Sequence, residues 1–112
     1  MIGHVGTAPS DEAHWAVLTN HGLVPLTIAR NANVRVRDIA GAVGITERAT
    51  QAILRDLDRG GYIDRARVGR RNRYSVRRRA TLPHALLGSA TVGDLVDALA
   101  PPGPPTARRL VL

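Results

Sequence analysis

No cysteine occurs in the 112 residues, which excludes disulfides, thiolate metal ligands and a thiol nucleophile together. Lysine is absent as well, so all 16 basic side chains are arginine, against 9 acids, for a formal net charge of +7. Phenylalanine is missing, and Trp15, Tyr62 and Tyr74 are the only aromatics, so the interior has to be aliphatic. No stretch approaches the ~20 consecutive apolar residues of a membrane span, and no membrane partner is expected. Met1-Ile2-Gly3-His4 lacks the charged start and long apolar run of a signal peptide, which makes the cytoplasm the expected location. The four histidines, His4, His14, His21 and His84, are scattered singly, and no metal site is expected. Gly-rich phosphate loops, a nucleophile elbow and a Ser/His/Asp set are all absent. Neither an enzyme nor a cofactor is expected.

What is present is one domain's worth of chain, with 44% apolar residues. Residues 1–9 read as a flexible N-terminus and 100–112, with Pro101-Pro102-Gly103-Pro104-Pro105, as a Pro-rich tail that cannot be helical. The region 10–99 between them reads as mainly α with a small β-hairpin, an α+β domain. Ser10-Asp11-Glu12 offers a cap for a short turn leading to Trp15, which fits a core anchor or a subunit contact. Thr19 or Asn20 caps a first helix carrying Leu23, Val24, Leu26 and Ile28. Pro25 is expected to kink that helix unless it falls in the first turn. After Asn31-Ala32-Asn33 and an extended Val34-Arg35-Val36, a second helix runs from about Arg37 to Val43. Gly44-Ile45 breaks it, Thr46 caps a third and longer helix, and Gly60-Gly61 closes that one. Tyr62–Val68 and Arg73–Val76 read as strands joined by a Gly69-Arg70-Arg71-Asn72 turn. Thr91-Val92-Gly93-Asp94 is a capping-box pattern opening a last helix to about Leu99. Its stripe of Val92, Leu95, Val96 and Leu99 suits either its own domain or a twin.

A short helix, a Gly-centred turn and a capped longer helix make a helix-turn-helix pattern, and the hairpin that follows supplies a wing. Arg37-Asp38-Ile39-Ala40-Gly41-Ala42-Val43-Gly44-Ile45-Thr46-Glu47-Arg48-Ala49-Thr50-Gln51, then Leu57-Asp58-Arg59-Gly60-Gly61-Tyr62-Ile63 and Val68-Gly69-Arg70-Arg71-Asn72-Arg73-Tyr74, resembles small winged helix-turn-helix regulators of the MarR/ArsR type. Trp15 and Leu18-Thr19-Asn20-His21 are similar to the start of short actinobacterial members. The resemblance spans roughly residues 15–99. It implies a winged helix-turn-helix fold, binding to double-stranded DNA, a homodimer, a transcription-regulating role and association with the nucleoid. It carries no implication for target gene or effector. The chain departs from the metal-sensing members in having no Cys ligands, and it is shorter than a full MarR protein.

The third helix then becomes the reading element, with Ile53, Leu54 and Leu57 inward and Arg48, Gln51 and Arg55 outward. Arg forks guanine and Gln forks adenine in the major groove, and Thr46 is positioned to donate to a phosphate. The plainer reading of Arg48 and Arg55 is solvated surface charge, with Arg55 paired to Asp58. On the wing, Arg65, Arg67, Arg70, Arg71, Asn72 and Arg73 are expected on phosphates or in a minor groove. Residues 65–79 hold eight arginines and no acid, and such a run repels itself unless a polyanion is present. Two other readings stay open: a sequence-tolerant architectural or RNA-binding winged helix, and a protein-interaction module.

Overall fold

The computed structural model describes residues 17–100. Trp15, the Ser10 cap, the 1–9 segment and the tail beyond Ala100 lie outside them. The described chain is an α+β domain. Its order is α1 (Asn20–Arg30), α2 (Val36–Val43), α3 (Glu47–Gly60), β1 (Ile63–Val68), β2 (Arg71–Val76), a 3₁₀ turn (Ala85–Leu87) and α4 (Val92–Leu99). No helix among the described residues is long and apolar enough to cross a membrane.

Local chemistry sets most of these boundaries. Thr19 caps α1, its hydroxyl accepting from the Gly22 amide at 3.3 Å. Pro25 falls in the second turn, yet α1 continues through it to Arg30. The cost of the missing amide is outweighed because Val24, Pro25, Leu26 and Ile28 are all buried. Val36, expected in an extended piece, is instead the first residue of α2, since the cap falls on Arg35, whose amide donates to Asp38 at 3.3 Å. Between α2 and α3, Gly44 takes a φ of 88°, a conformation disfavoured for any residue with a Cβ. Space around it is open, so Gly44→Ala tests conformation alone. That variant is expected to lose about 1–2 kcal/mol in urea unfolding; an unchanged midpoint would mean the turn has another solution.

Thr46 caps α3 by accepting from the Ala49 amide at 3.0 Å. Thr50, fully buried, returns its hydroxyl to the Thr46 carbonyl at 2.9 Å. Ile53, Leu54 and Leu57 then pack with Val24, Ile28, Val34, Ile39, Ile63 and Tyr74 in the main core. The antiparallel hairpin pairs Ile63 with Val76, Arg65 with Tyr74 and Val68 with Arg71. One face therefore carries Ile63, Val76 and Tyr74 into the core at its base, with Arg65, Arg67 and Asn72 on the same face further out. The turn is shorter than expected: only Gly69 and Arg70 lie between the strands, while Arg71 and Asn72 belong to β2.

A second core cluster joins Leu26 of α1 to Val92, Val96 and Ala100. The stripe on α4 is thus largely used within its own domain, leaving Leu99 at its edge 40% exposed. The capping box on α4 forms as the sequence suggests, with Asp94 and Thr91 exchanging amide bonds at 2.9 and 3.1 Å. Between β2 and α4 the chain folds back on itself through a bridge between Thr81 and Thr91. His84 holds the 3₁₀ turn there by accepting from the Leu86 amide at 3.0 Å.

Candidate nucleic-acid interface

At about 3.6 residues per turn, Arg48, Arg55 and Arg59 fall on nearly one line along α3, opposite its buried residues. Gln51 flanks that line. All four are exposed, and none has a hydrogen-bond or ion-pair partner among the described residues. Arg59 joins the residues expected from the sequence; its spacing four residues beyond Arg55 is the signal that points to it. The pairing of Arg55 with Asp58 does not form, because Asp58 turns to Arg65 on β1, 3.8 Å away.

The acids of α3 behave differently from its arginines. Asp56 is held by the His21 imidazole of α1 at 2.8 Å, a contact across 35 positions of sequence. With Asp58 drawn to Arg65, two of the three carboxylates of α3 are engaged inside the domain, leaving Glu47 at the N-terminal end. Each contact is solvent-exposed and contributes little to stability. Their effect is on charge: negative groups are occupied and positive ones are left available. Thr46 at the helix start is exposed, and its hydroxyl proton remains free to donate because the oxygen acts as the capping acceptor.

On the hairpin the expected basic residues separate into kinds. Arg70 at the turn and Arg73 on β2 are exposed with no partner among the described residues. Arg67 reaches only the carbonyl of Gly69 in its own turn, at 3.4 Å. Asn72 sits opposite Arg67 and is exposed. Arg71 differs from the expectation of a free tip residue: its guanidinium donates to the Asn33 carbonyl at 2.8 Å, tying β2 to the turn before α2. Because β2 begins at Arg71, its side chain leaves the strand close to that turn.

The run 65–79 is also less self-repelling than its sequence implies. Its acidic partners come from outside the run: Asp58 for Arg65, Asp64 for Arg77 at 2.8 Å and Asp97 for Arg78 at 2.7 Å. Folding brings these carboxylates in from α3, β1 and α4. What remains is a surface of α3 and the distal hairpin with at least five unpartnered arginines, Arg48, Arg55, Arg59, Arg70 and Arg73. No protein-family model matches this chain, and neither a curated protein nor a solved structure matches it.

Proposed function

We propose that this protein is a sequence-specific, DNA-binding transcriptional regulator of the winged helix-turn-helix class. In this reading α3 enters the major groove, which is about 12 Å wide and admits a helix. Arg48 and Gln51 read base edges there, and Arg55 and Arg59 extend the contact along the groove. Thr46 donates to a flanking phosphate. The hairpin is the wing, with Arg70 and Arg73 on phosphates or in the neighbouring minor groove. Arg65 and Arg67 lie along β1 between the base and the turn, and Arg71 keeps the hairpin's angle to the body. The single observation that carries this reading is the asymmetry of α3, where the C-terminal carboxylates are occupied within the domain and every arginine is exposed without a partner among the described residues.

A homodimer follows from the same proposal, since two copies reading one palindrome double the contact surface. Half-sites are then expected about one helical turn apart. Selection from random genomic fragments, with sequencing of the retained pool, is expected to return one enriched palindromic motif. A pool without any motif would instead support sequence-tolerant nucleic-acid binding, for which the hairpin arginines serve equally well.

The wing assignment has its own check. Arg70→Ala with Arg73→Ala is expected to weaken binding to all duplexes to a similar degree. The slope of log affinity against log salt should flatten by roughly 0.9 for each phosphate that is no longer neutralised. Arg71 is left intact in this test because its removal would also untie the hairpin. An unaltered slope removes the hairpin from the interface.

A further inference from the structure

A second basic feature lies at the other end of the hairpin, outside the surface just described. Arg77, Arg78 and Arg79 line an open concavity of about 490 Å³ with Gly61 and Ala80. Two of the three guanidinium groups are fixed by carboxylates: Arg77 donates through Nε to Asp64 at 2.8 Å, and Arg78 through Nη2 to Asp97 at 2.7 Å. Each bond uses one of five guanidinium N–H donors, so four donors on each of these side chains stay available. Arg79 is exposed and has no partner among the described residues. Three cations against two carboxylates leave the concavity positive.

The backbone around it is equally constrained. The Arg77 amide donates to the Tyr62 carbonyl at 2.9 Å, and the Arg78 and Ala80 carbonyls accept from the Gly93 and Val92 amides at 2.9 and 2.8 Å. Arg78 packs so close to α4 that a Cβ at position 93 would come within 2.9 Å of its carbonyl oxygen and 3.4 Å of its Nη2. Only glycine permits this approach. The consequence is a backbone arch of three consecutive arginines seated between the end of α3 and the start of α4. Surface arginines that serve only solubility need no such seating.

We propose that this concavity is a phosphate-binding site, taking the phosphate group of a nucleic-acid backbone or a free phosphate. Arg79 supplies the unpaired charge, and Arg77 and Arg78, which also line the concavity, add guanidinium donors not used by their carboxylates, a chemistry that suits a tetrahedral oxyanion. The site is separate from the outward arginine face of α3 and from the hairpin turn. Only the choice of a backbone phosphate as its source rests on the proposed function.

Two measurements on the full chain decide the matter. Inorganic phosphate and pyrophosphate are titrated at constant ionic strength, with the amide resonances of Gly61 and Ala80 and the Arg79 Nε–H followed by NMR. Saturable shifts are expected in the native chain, with apparent affinity falling roughly tenfold in Arg78→Gln/Arg79→Gln. In parallel, Arg79→Gln alone is tested on a short duplex. A backbone source predicts a roughly threefold to tenfold loss of affinity and a salt slope flatter by about 0.9. Phosphate-induced shifts with an unchanged duplex slope identify free phosphate as the source. Absence of both the shifts and the slope change overturns the site. Arg79 is exposed and unpaired, so its replacement leaves the fold intact, and the thermal midpoint of the variant verifies this. Should the native chain bind no duplex at all, the DNA reading fails while the phosphate titration still decides the site.

Discussion

Replacing Arg48 and Gln51 together with alanine is expected to abolish discrimination between the selected motif and a scrambled duplex. Each bidentate base contact contributes about 1–3 kcal/mol of discrimination, so the pair accounts for roughly 2–6 kcal/mol. The two side chains are one helical turn apart and share a small stretch of groove, so the two effects will not add cleanly. The measurement is therefore a ratio: affinity for motif over affinity for scrambled sequence, taken at one salt concentration. That ratio should fall toward unity while scrambled-duplex affinity drops far less, because the proposed complex keeps Arg55, Arg59 and the hairpin for phosphate contact. Both residues are exposed and have no partner among the described residues, so the thermal midpoint should hold within a few degrees. If the ratio stays high, sequence is being read elsewhere and α3 loses its assigned role.

The largest loss of stability is expected from Ile63→Ala. Ile63 is 1% exposed and lies at the base of the hairpin, where it belongs to the main core with Leu57 and Ile39. Truncating a buried isoleucine to alanine costs about 2–5 kcal/mol, against a total of about 5–15 kcal/mol for a domain. At roughly 4–8 °C per kcal/mol for a domain of this size, the melting temperature should fall by at least about 8 °C. Binding to every duplex should weaken too, since the side chain that orients the hairpin on the body is gone. Val68→Ala, at the turn end of β1 and 54% exposed, is the companion control, expected to shift stability by less than about 0.5 kcal/mol. Equal effects from the two would show that the hairpin base is not part of the core.

Much of the fold is legible in the sequence because its boundaries rest on local chemistry. Thr46 and Thr91 cap helices through their own hydroxyls, and Gly44 and Gly61 end helices with φ values of 88° and 82°. Residues within four positions of one another decide such features. The hairpin turn is harder to read, because Arg71 and Asn72 look like turn residues by composition and become strand only through pairing with Val68 and Arg67. Pro25 carries a real local penalty, yet its burial with Val24, Leu26 and Ile28 keeps the helix running through it to Arg30. For the candidate site, the outward residues of α3 follow from helical period alone. The partners of the arginines do not. His21 with Asp56, Arg71 with Asn33 and Arg78 with Asp97 join positions 35, 38 and 19 residues apart, and only tertiary packing brings them together.

The bond from Arg71 to the Asn33 carbonyl has a kinetic consequence. Beyond Tyr74 and Ile63 the hairpin carries no buried side chain, so its outer half resembles an isolated two-stranded ribbon, which is marginal by itself in water. A single brace at 2.8 Å limits how far that ribbon swings and so narrows the range of orientations it offers to a partner. Orientation is a large part of what slows macromolecular docking below the diffusion limit. The brace therefore acts on the frequency of productive encounters, and its removal would register first in the association rate.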